Sequence, residues 1–339
     1  MKRREFLGSA ATVAGLVMTP SGVLSSDAKS RVVQVFHADA VRPGRQVDQA
    51  IVAKMLRSGL RALAGEGQSI GKWVRPGDRV GLKINTLGRP LLFTHRELIL
   101  ALVEELKETG VSENNIIVWD RFENHMLEAR FVMNNSDRGV RYVATESGGD
   151  GPARLDDNEP YQSAHDDPRD RHNGDTASRF SRIFTRECDK IINMPILKDH
   201  GQTGVTLCLK NLAFGITTNN NRFHGASHVG PFISDICARP LVKSKTVLHI
   251  LDGLEGCFNN GPAPRHPGSF STPRTIWLGF DPVAVDVVGR RVIEEQRRAG
   301  GLPSLAAMNK PVDYIEMAAR KGVGECNLDR ISLEKISAA

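Results

Sequence analysis

Lys198, Asp199 and His200 stand together in the run MPILKDHGQTGVTLCLKN, which closes on Lys210 and Asn211. Lysine ammonium groups bring fixed positive charge, and a histidine, which titrates near neutral pH, can pass a proton or ligate a metal. The run reads as a strand emptying into a polar, glycine-containing loop ahead of an apolar-periodic helix over 204–214. Free backbone N–H groups at such a helix start favour an anion. A plainer reading makes Asp199 a cap and Lys210 a side chain that reaches solvent along its stem. His224 and His228 follow in RFHGASH. Their spacing puts both imidazoles on one face of a helix, where a third ligand such as His200 would complete a site for a divalent transition metal. Gly225 and Ser227 work against that helix, and hydrogen-bonded surface histidines are the plainer alternative.

Other candidates lie elsewhere in the chain. Lys83 and Asn85 occur in RVGLKINTLG, Asp252 opens DGLEGC ahead of an NNGP loop, and Asp281 precedes Pro282 at a helix start. Asp281 is first of all an N-cap; Asp286, one turn further on, needs another explanation. Gly65-Glu66-Gly67 follows a helix rather than a strand and so is no dinucleotide fingerprint, and Walker, G-x-S-x-G and H-E-x-x-H motifs do not occur.

These residues need elements to position them, and the pattern predicts alternating strands and helices: a strand over 30–36, a helix over 47–64, a strand over 79–84, a helix after a capping box at Thr94–Glu97, and a strand over 115–119. A helix over 123–133 and strands over 140–144 and 190–194 continue the series. Further strands over 246–251, 275–280 and 330–333 and helices over 229–238, 282–298 and 312–321 complete it. The expectation is an α/β fold: a mainly parallel sheet with helices on both faces, Rossmann-like. Residues 147–180 are polar and aperiodic and read as a long insertion, either a lid or binding loop or a disordered segment. In such a fold ligands bind beyond the carboxyl ends of the strands, where strand order reverses. The residues following the predicted strands are His37, Asn85, Asp120, Asn193, Asp252 and Asp281, all polar, although turn chemistry by itself favours Asn and Asp there.

The runs KIINMPILKDHGQTGVTLCLKN, LDGLEG with its GP loop, and GFDPVAVDVVGRRV, together with VGLKINTLG, resemble domain-of-unknown-function family 362 over most of residues 79–295. On that resemblance Lys83, Asn85, Lys198, His200, Lys210, Asn211, Asp252, Asp281 and Asp286 match motif positions. Some members carry ferredoxin-type iron–sulfur motifs beside the domain. This chain has no such motif: its five cysteines are scattered and none forms a C-x-x-C pair.

Lys2-Arg3-Arg4-Glu5-Phe6-Leu7 and the weakly apolar stretch to Leu24 predict a twin-arginine signal peptide over residues 1–28, with the α/β domain filling 29–339. The twin-arginine translocase is then a partner during export, and the mature protein is periplasmic or extracytoplasmic. Removing Lys2, Arg3, Arg4, Glu5 and Asp27 takes the formal charge from +6 to +5. Interspersed charges and few aromatics argue against a nucleic-acid partner. No later stretch is apolar enough to make the mature chain an integral membrane protein. The leading expectation is an exported enzyme with a small anionic ligand, metal-assisted or not: His200, Lys198 and Lys210 catalytic, Lys83, Asn85, Asn211, Asp252, Asp281 and Asp286 binding, and His200, His224 and His228 holding a metal. A non-catalytic extracytoplasmic binding protein and an assembly factor for another exported enzyme are the alternatives.

Overall fold

The computed structural model describes residues 29–65, 67–147, 154–161, 178–224, 228–310 and 312–338. The predicted signal peptide lies outside the described residues, as do 148–153 and 162–177 of the predicted insertion.

The fold is α/β around one large sheet. Eight strands run in the order Ile331–Ser337, Ser30–Phe36, Thr275–Gly279, Thr246–Cys257, Lys190–Asn193, Val80–Lys83, Ile116–Phe122 and Arg141–Glu146. Neighbours are parallel except where Thr275–Gly279 lies antiparallel between its two partners. The central strand Val80–Lys83 is buried at every residue, as a parallel strand covered on both faces must be.

Two hydrophobic clusters account for that covering. On one face, helices Gln49–Ala64 and Arg96–Glu108 bring Val52, Met55, Leu56, Leu60, Leu98, Leu102 and Leu106 against Val33, Leu82 and Val118. On the other, helices Cys208–Gly215, Val229–Ala238, Pro282–Ala299 and Tyr314–Arg320 bring Leu209, Ile233, Val283 and Ile315 against Ile117, Ile191 and Leu251. Each fully buried Leu or Ile contributes about 1.5–3 kcal/mol relative to exposure. The helix starts are satisfied locally: the Asp48 carboxylate accepts from the N–H groups of Ala50 and Ile51, and Asp281 from those of Val283 and Ala284.

Strand order reverses at the middle of the sheet. From Val80–Lys83 the chain proceeds through helix Arg96–Glu108 to Ile116–Phe122 on one side. The strand on the other side, Lys190–Asn193, leads on to Thr246–Cys257. Lys83 and Asn193 are register partners, so their side chains stand beside each other at the switch point.

Several expectations are corrected. Thr94 forms no capping box: the N-cap is His95, with no side-chain bond to the helix, and the Thr94 hydroxyl instead donates to the Met194 carbonyl and accepts from Asn85 N–H. Tertiary partners offered that hydroxyl better geometry than its own helix did. Ile196–His200 is a strand and not a loop, paired antiparallel with Gly204–Thr206, and the following helix is confined to Cys208–Gly215. Thr246–Cys257 continues for twelve residues, so Asp252 lies within a strand rather than at its exit. The insertion is not wholly irregular: Leu155–Tyr161 pairs antiparallel with Ser178–Ser181. That pair is tied to the chain after helix Cys208–Gly215 by Ser181 N–H to Ile216 O, Thr218 N–H to Arg179 O and the Ser178 hydroxyl to Asn219 O.

Candidate functional site

A cavity of about 370 Å³ opens at the switch point, lined by residues that include Lys83, Asn85, Asp120, Arg121, His200, Lys210, Asn211, Phe214 and His224. Side-chain alternation along a strand puts Lys198 and His200 on one side of Ile196–His200 and Asp199 on the other. Asp199 accordingly turns away, accepting from Lys310 Nζ at 3.2 Å and Gly261 N–H at 2.7 Å. Gly261 must be glycine there, since a Cβ would lie 2.0 Å from the Asp199 carbonyl oxygen.

The floor of the cavity is a chain of buried polar side chains. Lys83 Nζ donates to Asp120 Oδ1 and to the Ile84 carbonyl, both at 2.7 Å. The second oxygen of Asp120 accepts from the Thr86 N–H and hydroxyl. Burial alone would raise the Asp120 carboxyl, but the Lys83 ammonium, the Thr86 hydroxyl and the Arg121 N–H hold it below the ordinary carboxylate range. Asn85 Nδ2 donates to Asn211 Oδ1 at 2.9 Å, and Asn211 Nδ2 to Asn193 Oδ1 at 2.7 Å. Asn193 continues the chain to the Cys208 carbonyl and to His249 Nδ1. Lys198 Nζ ends on Asn85 Oδ1 at 2.7 Å.

Above that floor the charges are unequal. Arg121 pairs with Glu146 at 2.7 Å and also donates to Asn220 Oδ1. Lys198 and Lys210 are both buried, and among the described residues no carboxylate pairs with either. Lys210 Nζ lies 4.0 Å from the centre of the Phe214 ring and 3.4 Å from His224 Nε2. Burial lowers the Lys198 ammonium to about 8 against the pull of Asp120. Burial, with Lys198 and Arg121 adding repulsion, lowers Lys210 to about 7.

Of the three histidines that line the cavity, His200 and His224 take opposite tautomers. His200 Nδ1 accepts from the N–H groups of Gln202 and Thr203 at 3.1 and 3.3 Å. Burial, with Lys210, His224, Lys198 and Lys310 around it, drives the imidazole far below its ordinary value. A neutral ring whose Nδ1 accepts must carry its proton on Nε2, so His200 offers the cavity an N–H donor. His200, expected as an acid–base or ligand residue, presents this N–H to the cavity in its neutral form. His224 Nδ1 sits 3.2 Å from the Asn221 carbonyl, which can only accept. Its Nε2 lone pair therefore faces Lys210. Burial and Lys210 keep this ring neutral too, lowering it to about 4.

His224 and His228 do not share one helix face. His224 ends the short helix Asn221–His224, whereas His228 is the N-cap of helix Val229–Ala238. The rings of His200 and His224 stack 5.9 Å apart, but one presents N–H and the other a lone pair. Among the described residues no group of three His, Cys, Asp or Glu is placed to hold a metal ion.

Lys83, Asn85, His200, Lys210, Asn211 and His224 line the cavity and Lys198 bonds to its wall, whereas Asp252, Asp281 and Asp286 are not among its lining residues. Each of the three instead serves the fold. Asp286 accepts from Cys208 N–H at 2.6 Å and Leu209 N–H at 3.1 Å, so the predicted anion site at that helix start is already filled by the protein's own carboxylate. Burial raises Asp286 to about 7 against those two N–H groups. Asp281 caps its helix and also accepts from the Ser30 hydroxyl and Glu325 N–H. Asp252 accepts from the His95 N–H and ring Nδ1, both at 2.8 Å. Burial opposes charge on His95, but Asp252 and Glu255 outweigh it and raise the imidazole to about 10.

Arg121, Phe122, His125 and Phe214 were not singled out from the sequence. The usable signal was Asp120, a strand-end residue whose neighbour Arg121 enters the same cavity.

The charge on Lys210 has a consequence for stability. A lysine whose folded pKa is lowered from 10.5 to about 7 penalises folding in full below pH 7, and progressively less as pH climbs towards the unfolded value. Lys210→Met should therefore be more stable than wild type at pH 7, with the gap closing by up to about 1.4 kcal/mol per pH unit as pH rises to 10. Urea unfolding of both proteins across that range measures the gap; one that stays constant or widens with pH contradicts the assignment.

Comparison with known proteins bears on the whole domain. A thylakoid-associated protein of Synechocystis sp. is 26% identical over 297 residues, covering 78% of this chain and 82% of that protein. A solved structure from Thermotoga maritima superposes with a TM-score of 0.42 at 13% identity, over 76% of this chain; the chain spans 60% of that protein's length. The family described as "Domain of unknown function (DUF362)" matches residues 80–291, which carry Lys83, the Asn85–Asn211–Asn193 chain, Lys198, His200, Lys210 and His224. The chain is a member of the DUF362 family.

Proposed function

We propose that the cavity binds a small organic anion and that the protein is an enzyme acting on it, with Lys210 and His224 moving a proton. The observation that carries this reading is the pair of buried lysines, Lys198 and Lys210, which have no carboxylate partner among the described residues and lie beside Arg121. An ammonium group held out of water with no counter-charge costs several kcal/mol, and an incoming carboxylate or phosphate would relieve that cost. The His200 Nε2–H adds a neutral donor for the same ligand. A protein that merely captured an anion would gain most from lysines charged throughout the neutral range. A lysine poised near pH 7 against the lone pair of His224 suits proton transfer.

Oxalate and inorganic phosphate should raise the thermal midpoint of the protein at neutral pH, whereas oxamide, the neutral analogue of oxalate, should not. Lys198→Met/Lys210→Met should lose the response. Equal shifts by oxalate and oxamide, or none by any anion, would remove the reading.

Twin-arginine export to the periplasm or another extracytoplasmic compartment is part of the same proposal, supported by Lys2-Arg3-Arg4-Glu5-Phe6-Leu7 and the weakly apolar stretch after it. Among the described residues no helix is long and apolar enough to cross a membrane. Replacing Arg3 and Arg4 together by lysine should leave the precursor in the cytoplasm of a bacterial host, as cell fractionation would show; unchanged export of the variant refutes the route.

A further inference from the structure

The lysines around the cavity differ in what holds their amines. Lys83 Nζ is committed to Asp120 and the Ile84 carbonyl, and Lys198 Nζ to Asn85 Oδ1. Among the described residues, Lys210 Nζ has neither a carboxylate nor a carbonyl acceptor in its hydrogen bonds; its neighbours are the Phe214 face and the His224 Nε2 lone pair. Phe214 shields one side of the amine from water. His224 can take up a proton and return it, because its own Nδ1 proton is engaged by the Asn221 carbonyl.

From this geometry, and resting on the anion-site reading above, we infer that Lys210 is a nucleophile that forms a Schiff base with the carbonyl group of a small 2-oxo acid. The substrate class follows from the walls of the cavity. The field of Lys198 attracts a carboxylate, the 370 Å³ volume suits a small molecule, and the His200 Nε2–H can hydrogen-bond the oxygen of a carbonyl next to that carboxylate. Burial beside Lys198 and Arg121 keeps a large share of Lys210 as the free amine at neutral pH, as a nucleophilic lysine requires.

The step balances within the site. The amine lone pair attacks the carbonyl carbon, forming the C–N bond, while the C=O π electrons move to oxygen. A proton on the new ammonium passes to His224 Nε2 and on to that oxygen, giving the carbinolamine. A second proton, taken up from solvent water and passed through His224 Nε2, lets the hydroxyl leave as water, and the nitrogen lone pair closes the C=N bond. In sum, the free lysine amine, the 2-oxo acid and one proton from solvent give a protonated imine and one water. His200 stabilises the oxygen by its hydrogen bond and keeps its own proton.

Borohydride trapping tests this. The full chain is incubated with pyruvate or glyoxylate near pH 8, reduced with sodium borohydride and digested, and the adducts are mapped by mass spectrometry. The expected result is an adduct on Lys210 far above that on any exposed lysine, suppressed by excess oxalate and missing from Lys210→Arg, which keeps the charge but not the nucleophile. Adducts spread evenly over surface lysines, or unchanged in Lys210→Arg, overturn the inference. Should Lys210→Arg fail to fold, the wild-type peptide map alone decides, since an unmodified Lys210 is sufficient to reject it. A protein that oxalate stabilises but pyruvate never traps loses the Schiff base and keeps the anion site. One that oxalate does not stabilise loses the reading on which the inference rests.

Discussion

An ammonium group removed from water demands a counter-charge, and at the switch point of this sheet the described residues supply one for Lys83 but none for Lys198 or Lys210. Lys83 is held by Asp120, whose remaining oxygen is saturated by Thr86. Asn85 then bridges the Lys198 amine to Asn211, and Asn211 reaches Asn193 on the next strand. Buried polar chains of this kind are favourable only when every member is satisfied, and here the amides are. The positive charges left above them are the part of the arrangement that a ligand would complete.

The acids that might have neutralised those charges are used elsewhere. Asp286 takes the free N–H groups at the start of the helix carrying Lys210. It thereby fixes where Lys210 begins its reach and occupies the place an external anion would otherwise take at that helix end. Asp199 is turned to the opposite side of its strand, Asp281 caps a helix, and Asp252 holds His95. Gly215, closing the same helix, brings its backbone so near Lys83 that a Cβ would lie 2.4 Å from Nζ. The cavity is thus cationic through the placement of carboxylates as much as of lysines.

Much of the layout was legible in the sequence because burial on both faces of a parallel strand leaves a continuous apolar run, as in RVGLKI and KIINM. Asn85, Lys198, His200, Lys210 and Asn211 are legible because polar residues interrupt or follow such runs, and Lys83 through the family resemblance. What escaped depended on long-range partners. No local pattern tells that Thr94 will bond to Met194, that Asp286 will serve a helix 78 residues away, or that the strand through Asp252 will continue to Cys257. The loop-like composition of LKDHGQTG concealed a short strand pair, since Gly201 and Gly204 suit a tight turn between strands as well as a loop. His224 and His228 had ligand spacing only on the assumption of one helix, which the chain divides between two elements.

The proposed chemistry rests on two tautomers and on one amine that has no carboxylate partner among the described residues. His200 donates, His224 accepts, and Lys210 lies against the acceptor with Phe214 beside it. The most direct measurement is NMR titration of the protein carrying lysine labelled with carbon-13 at Cε, with Lys210→Arg identifying the resonance. The account predicts that Lys210 titrates near pH 7 in the free protein and moves upward when oxalate is added. A Lys210 resonance that titrates near 10.5, the ordinary lysine value, and ignores oxalate would contradict it.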